Sequence, residues 1–136
     1  MMKVVKFGGS SLADAGQIQK AAAIIKAEAD RRYVVPSAPG KRFKDDIKVT
    51  DMLYQCYALA EKGEAFATQL AAIKDRYVSI LNGLSMPETL LDEEFVTIGE
   101  NFRKRFGSDY AASRGEYLNG KLIAASVSYT HLTLPT

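Results

Sequence analysis

Near the start of the chain, a lysine, two glycines and two serines stand together in the order Lys6-Phe7-Gly8-Gly9-Ser10-Ser11. Glycines let backbone N–H groups approach an anion unobstructed, and a following helix would add the positive end of its dipole. Lys6 would add a full positive charge on the same side. The stretch favours the phosphates of a nucleotide as ligand, although a plain tight turn explains the glycine pair equally well. It matches neither the Walker pattern nor G-x-G-x-x-G.

Cysteine and histidine chemistry is nearly absent from the sequence. Cys56 is the one cysteine, which excludes an internal disulfide and a multi-cysteine zinc site. Its apolar and aromatic neighbours predict a small buried side chain on a helix face. His131 is the one histidine, so the sequence argues against a histidine-activated nucleophile and against clustered imidazole metal ligands.

The elements that would position the glycine loop form a strand–helix–strand unit. Short runs rich in Val, Phe and Tyr predict a buried strand near residues 3–7, ended by glycine, and a second short strand near 33–36, ended by proline. Between them, an apolar stripe at helical spacing begins after a capping-box pattern, Asp14 with Gln17. We expect a helix over about 14–31, packed on one face of two adjacent parallel strands.

After a polar, basic segment, Lys41 to Lys48, that predicts a mobile solvent-exposed loop, the pattern is helical. Thr50 is the predicted N-cap of the first of these helices, which Gly63 interrupts. The second ends near Asn82-Gly83, and a capping box of Ser85 and Glu88 starts the third, which ends at Gly107. A last helix starts at Ser108 or Asp109. Two strands are too few for a parallel sheet covered on both faces. We therefore expect the chain to stop before its domain is complete.

Length and charge limit the classes of function further. The chain has 136 residues, the size of one domain, and its net charge of +2 argues against a nucleic-acid partner. No apolar run approaches the ~18 residues that a membrane span needs. The N-terminus lacks the apolar run of a signal peptide, so we expect a cytoplasmic protein without a membrane partner.

Four segments in this order resemble the motifs of the aspartate kinases, in the amino-acid kinase superfamily: Lys6–Ser11, Val34–Gly40, Lys48–Asp51 and Ser113–Leu118. The resemblance covers roughly residues 3–125. It implies an α/β protein with a partial three-layer α/β/α amino-acid kinase (carbamate kinase-like) fold, containing only the N-terminal part and rich in helix. The implied reaction is ATP-dependent phosphorylation of the aspartate side-chain carboxylate to 4-phospho-L-aspartate, the first step of lysine, threonine and methionine biosynthesis.

The resemblance also assigns site residues. Lys6 would be catalytic and contact the transferring phosphoryl group, while nucleotide binding would involve Lys6, Phe7, Gly8, Gly9 and Ser10. Ser37, Thr50 and Glu116 would bind substrate, with Glu116 facing the α-ammonium group. Glu100, which follows Gly99, is a rival for that role, and Thr50 is also explained as a helix cap alone. Mg²⁺ would be bound through the ATP phosphates, with no metal held by side chains.

Other functions stay open from the residues alone. The chain could be another superfamily member, such as a glutamate or acetylglutamate kinase, a non-catalytic phosphate-binding module, or a helical interaction module. For an aspartate kinase, the resemblance implies small-molecule substrates and a homo-oligomeric parent enzyme.

The end of the sequence departs from the family pattern. Residues 1–126 are predicted to be the N-terminal part of a kinase catalytic domain. Residues 127–136 fit one reading frame of a transposon-type sequencing adapter, which predicts a non-native tail that packs poorly. The later catalytic and nucleotide-base segments of the family are missing, so we expect this truncated chain to be inactive alone.

Overall fold

The structure, a computed structural model, describes the backbone of residues 3–27 and 31–133 and the side chains of 3–27 and 34–128. The elements in chain order are β1 (Lys3–Phe7), a 3-10 turn (Gly9–Leu12), α1 (Ala15–Ala27), β2 (Arg31–Pro36), α2 (Val49–Glu61), α3 (Ala67–Gly83), α4 (Asp92–Arg103) and α5 (Ser108–Thr133).

The predicted strand–helix–strand unit is confirmed. β1 and β2 pair in parallel, from Val4 opposite Tyr33 to Phe7 opposite Pro36. The Asp14 carboxylate accepts the N–H of Gln17 at 2.9 Å, which caps the start of α1. The predicted helix reaches to residue 31, but 28–30 lie outside the described residues and β2 begins at Arg31.

The sheet is buried on one face only within the described part of the chain. Phe7 lies in the core, whereas Val4 is 69% exposed and Val35 is 48% exposed. Alternate residues of a strand point to opposite faces, so Lys6 lies on the exposed face with Val4. The prediction of a buried strand at residues 3–7 therefore holds for one face of β1 only.

The core lies mainly between helices. Leu53 and Cys56 of α2 and Leu118 and Leu122 of α5 are fully buried. The ring of Tyr57 meets that of Phe102 of α4 edge to face, at a centroid distance of 5.3 Å. The prediction that Cys56 is a buried small side chain is confirmed.

Two predicted helix boundaries are corrected by left-handed residues. Ser85, with φ +58, closes α3: its N–H bonds to Asn82 O and that of Met86 bonds to Leu81 O. This is the Schellman ending, so Ser85 belongs to the end of α3 and no capping box starts α4 there. Arg105, also at φ +58, ends α4 in the same way before Gly107 is reached.

The segment predicted to be a poorly packing tail overlaps the last helix. α5 continues through residues 127–133, and Val127 is partly buried against the core. Residues 134–136 lie outside the described residues, so poor packing of 127–136 stays a prediction. No described helix is long and apolar enough to cross a membrane.

Candidate functional site

A cavity of about 510 Å³ opens where β1 and β2 end. It is lined by Gly9, Ser10, Ser37, Ala38, Pro39, Gly40, Lys41, Lys48, Thr50 and Glu116. The carboxyl ends of neighbouring parallel strands are where ligands bind in open α/β sheets. Four separate parts of the chain meet here: the loop after β1, the loop after β2, the start of α2 and the middle of α5.

Five residues assigned from the sequence therefore lie together: Gly9, Ser10, Ser37, Thr50 and Glu116. The other three, Lys6, Phe7 and Gly8, are not among the lining residues. Phe7 is buried in the core, and Lys6 and Gly8 are exposed.

The two strand-end loops are in direct backbone contact. The N–H of Gly40 donates to Gly9 O at 2.9 Å. A Cβ on Gly40 would lie 2.6 Å from the carbonyl carbon of Gly9, closer than any side chain allows. Gly40 must therefore lack a side chain for the loops to meet at this distance, and their contact forms one wall of the cavity.

Helix α5 reaches the cavity through Gly115. A Cβ there would lie 2.6 Å from the Cβ of Ala38, so the absent side chain lets the helix touch the loop after β2. Glu116 consequently lines the cavity, whereas its rival Glu100 lines a separate groove between α3 and α4. The structure thus brings Glu116 to the other assigned residues and leaves Glu100 apart from them.

Buried polar side chains hold the backbone around this contact. Tyr77 OH donates to Gly115 O at 2.9 Å, and Asn119 Nδ2 donates to Ser37 O at 2.8 Å. Asn119 is fully buried. Burial raises the pKa of Tyr77 well above its usual value, so its hydroxyl remains a donor.

Thr50 lies in the first turn of α2 rather than at its cap. The helix begins at Val49 with Lys48 at the N-cap position, which corrects the predicted boundary. Thr50 makes no cap bond in this position, and its side chain is half-buried at the cavity. Its N-cap role is excluded, while a role toward a ligand stays a prediction.

The basic loop between β2 and α2 contains a buried acid that the sequence reasoning missed. The Asp46 side chain is 4% exposed and binds the Arg42 guanidinium through bonds of 2.6 and 2.9 Å. These bonds hold the pKa of Asp46 well below its usual range. Residues 41–45 are exposed as predicted, but Asp46 anchors the loop to the core.

Arg76 of α3 also holds this loop against the core. Its side chain is 3% exposed and lies 3.5 Å from the Asp46 carboxylate. It donates to Ile47 O at 2.7 Å and also to Gly40 O. The sequence did contain a signal for this burial, because Arg76 occupies a core position in the apolar stripe of α3.

The cavity offers little to a metal ion. No group of three or more His, Cys, Asp or Glu side chains that could hold one occurs among the described residues. Glu116 is the one carboxylate among the lining residues. Any divalent cation here would have to be held largely through a ligand's own oxygens.

The chain is similar in sequence and fold to known proteins. Aspartokinase 3 of Bacillus subtilis is 41% identical in an alignment 134 positions long, which covers 94% of this chain and 29% of the relative. The solved aspartate kinase of Clostridium acetobutylicum has a TM-score of 0.82 at 45% identity, covering 90% of this chain and 28% of that one. Escherichia coli aspartokinase III, solved with aspartate and ADP, has a TM-score of 0.69 at 26% identity, covering 96% of this chain and 29% of its own.

The chain therefore spans under a third of the length of the relatives it matches. The structural matches confirm the fold predicted from the four motifs. The sequence model of the amino acid kinase family matches residues 1–134, nearly the whole chain. The chain belongs to the amino acid kinase family.

Proposed function

We propose that this chain carries the aspartate-binding part and one side of the phosphate site of an aspartate kinase. The reaction is phosphorylation of the aspartate side-chain carboxylate by ATP, giving 4-phospho-L-aspartate and ADP. The observation that carries the proposal is the convergence of Gly9, Ser37, Thr50 and Glu116 on one cavity at the strand ends.

The residue types suit this chemistry. Glu116 would pair with the α-ammonium group, and the hydroxyls of Ser37 and Thr50 would bond to carboxylate oxygens. The nucleophile is already an anion, so no general base is required and catalysis is positioning plus neutralisation of charge. A cavity without a histidine therefore fits the reaction.

The phosphates of ATP would lie against the loop after β1. Gly9 and Ser10 line the cavity there, and Lys6 is exposed at the end of β1 within two residues of the loop. We assign Lys6 to the transferring phosphoryl group on these grounds. Mg²⁺ would screen the charge of the phosphates to which it is bound, because the cavity supplies only the Glu116 carboxylate.

The whole enzyme needs more than this chain. Since Aspartokinase 3 is more than three times as long as the matched segment, we propose that the nucleotide-base pocket and further cations lie outside it. Losing one preorganised electrostatic group costs ~10²–10³-fold in rate, so the chain alone should be inactive. We further propose a cytoplasmic location and a homo-oligomeric parent enzyme, as in the sequence expectation.

The test replaces the aligned segment of Aspartokinase 3 with this chain and assays aspartyl phosphate by trapping it with hydroxylamine. We expect the chimera to form the hydroxamate from aspartate in preference to glutamate and N-acetylglutamate. The isolated chain should form none.

A matched pair of variants identifies the ammonium partner. Glu116→Gln should lower kcat/KM for aspartate about 10–100-fold, as expected for loss of a charged hydrogen bond. Glu100→Gln, an exposed residue after a glycine on α4, should leave it unchanged. An inactive chimera beside active Aspartokinase 3, or equal effects of the two variants, would contradict the proposal.

A further inference from the structure

Asn119 is a buried polar residue on the side of α5 that meets the loop after β2. It is fully buried, as are Leu118 and Leu122 of the same helix. Its Nδ2 donates to Ser37 O at 2.8 Å, whereas its Oδ1 has no hydrogen-bond partner within the part of the chain that the structure describes. A desolvated amide oxygen without a partner costs stability. Folding alone therefore does not favour asparagine at this position over an apolar side chain of similar size.

The bond from Asn119 joins α5 to a residue 82 positions earlier in the chain. It lies beside a second contact between the same two parts of the protein, the close approach of Gly115 to Ala38. Gly115 and Asn119 are four residues apart, so they lie on one face of α5 in successive turns. Ser37 and Ala38 are consecutive in the loop. Two contacts spaced one helical turn apart fix both the position and the direction of the loop on the helix, which a single contact does not.

These two contacts lie directly beside two groups that we assign to the substrate. Glu116 follows Gly115, and Ser37 is itself the residue whose carbonyl accepts the bond from Asn119; both line the cavity. The N–H of Ser37 donates to Phe7 O at 3.1 Å, so the backbone of Ser37 is held by β1 on one side and by α5 on the other. The bond to β1 does not involve α5. The bond from Asn119 therefore relates Ser37 to the helix that carries Glu116.

We propose that Asn119 is a positioning residue, which sets the distance between the Ser37 hydroxyl and the Glu116 carboxylate by holding the Ser37 carbonyl against α5. Asn119 is not among the residues that line the cavity, so it acts through Ser37 and has no contact with substrate. A displacement of about 1 Å in a substrate-binding group costs up to ~10²-fold in rate. The inference rests on the proposed function and deepens it by naming the residue that fixes the spacing of two substrate-binding groups.

Asn119→Leu in the active chimera removes the donor and keeps a side chain of similar size. We expect KM for aspartate to rise about 3–10-fold, the usual effect of one neutral hydrogen bond, with a smaller change in kcat and none in KM for ATP. A variant that is merely less stable would lose active enzyme, which lowers kcat and leaves both KM values unchanged. The control is Asn101→Leu on α4, which removes a bond of 2.9 Å from Nδ2 to Tyr110 OH away from the cavity and should leave both KM values as in the wild type.

A double-mutant cycle with Ser37→Ala tests whether Asn119 acts through the Ser37 hydroxyl. Alanine removes this hydroxyl but keeps the carbonyl that Asn119 binds. Two residues that act through one group have effects that do not add. We therefore expect Asn119→Leu to change KM for aspartate less than about twofold in the Ser37→Ala background. A rise by the same factor in both backgrounds would overturn the positioning role.

The outcomes separate the inference from the proposed function. An inactive wild-type chimera would remove both. An active chimera in which Asn119→Leu behaves like Asn101→Leu would remove the inference alone. If the circular dichroism spectrum shows that Asn119→Leu does not fold, Asn119→Ala, which adds no atoms to the core, takes its place in every measurement. Failure of both variants to fold would assign Asn119 to folding and would also overturn the inference.

Discussion

Adding one methyl group at Gly115 should disturb the contact that brings Glu116 to the cavity. The new Cβ would lie 2.6 Å from the Cβ of Ala38 and 3.3 Å from Cδ1 of Leu53. Ala38 is 7% exposed and Leu53 is fully buried, so neither can move aside into solvent. Gly115→Ala should therefore push α5 away from the loop after β2.

Gly120→Ala in the same helix is the matched control. Its Cβ would lie 3.7 Å from Cγ of Pro36, an ordinary van der Waals distance. Both variants gain about 1 kcal/mol of helix propensity, which cancels between them. The remaining difference in free energy of unfolding is the cost of overpacking at Gly115, about 1–3 kcal/mol. Gly115→Ala should be less stable than Gly120→Ala by this amount, and Gly120→Ala should be at least as stable as the wild type.

Urea unfolding followed by circular dichroism measures the difference. With an m value of about 1.5 kcal/mol/M, the two midpoints should differ by about 0.7–2 M. In the chimera, KM for aspartate should rise for Gly115→Ala, because Ala38 is part of the cavity wall. Equal midpoints for the two variants would refute the close approach of α5.

Two further predictions concern buried ionisable groups. Asp46→Asn should destabilise the protein by about 1–3 kcal/mol at neutral pH. Because Arg42 lowers the pKa of Asp46 on folding, this stabilisation is full above the unfolded pKa of ~4 and is lost as the pH falls below it. Urea unfolding should show that the difference in free energy of unfolding between wild type and variant narrows from about pH 5 to pH 2. A difference that stays constant over this range would contradict the prediction. Burial raises the pKa of the Cys56 thiol to about 11, so a disulfide reagent should react with it only as the protein unfolds; rapid reaction with the native protein would show that it is accessible.

The elements that depend on neighbours in sequence were predictable. The strand pair, the Asp14 cap and the apolar stripes follow from residue types a few positions apart. The missed features depend on distant partners. Arg76 bonds to carbonyls 29 and 36 residues away, and although its position in the apolar stripe of α3 indicates burial, no local pattern states which carbonyls it will bond. Ser85 and Arg105 adopt left-handed conformations, which were not predictable because glycine or asparagine usually occupies such positions.

The candidate site was predictable through its glycines and motifs more than through its charges. A glycine inside a helix usually permits a close approach, and the geometry of Gly115 at Ala38 is of this kind. Lys41 and Lys48 were assigned to solvent because basic loops usually are solvated. Strand alternation already places Lys6 and Phe7 on opposite faces, which separates the exposed lysine from the buried ring.

The cavity takes its shape from polar groups inside the core. Arg76, Tyr77 and Asn119 are buried, and each bonds a backbone carbonyl of a cavity residue or of the residue preceding one. Burying such groups contributes little net stability, since each hydrogen bond mainly offsets the cost of desolvation. Apolar side chains could fill the same volume, but they could not fix the carbonyls of Ser37, Gly40 and Gly115. The polar part of this core thus accounts for the position of the cavity walls, while the apolar part accounts for folding.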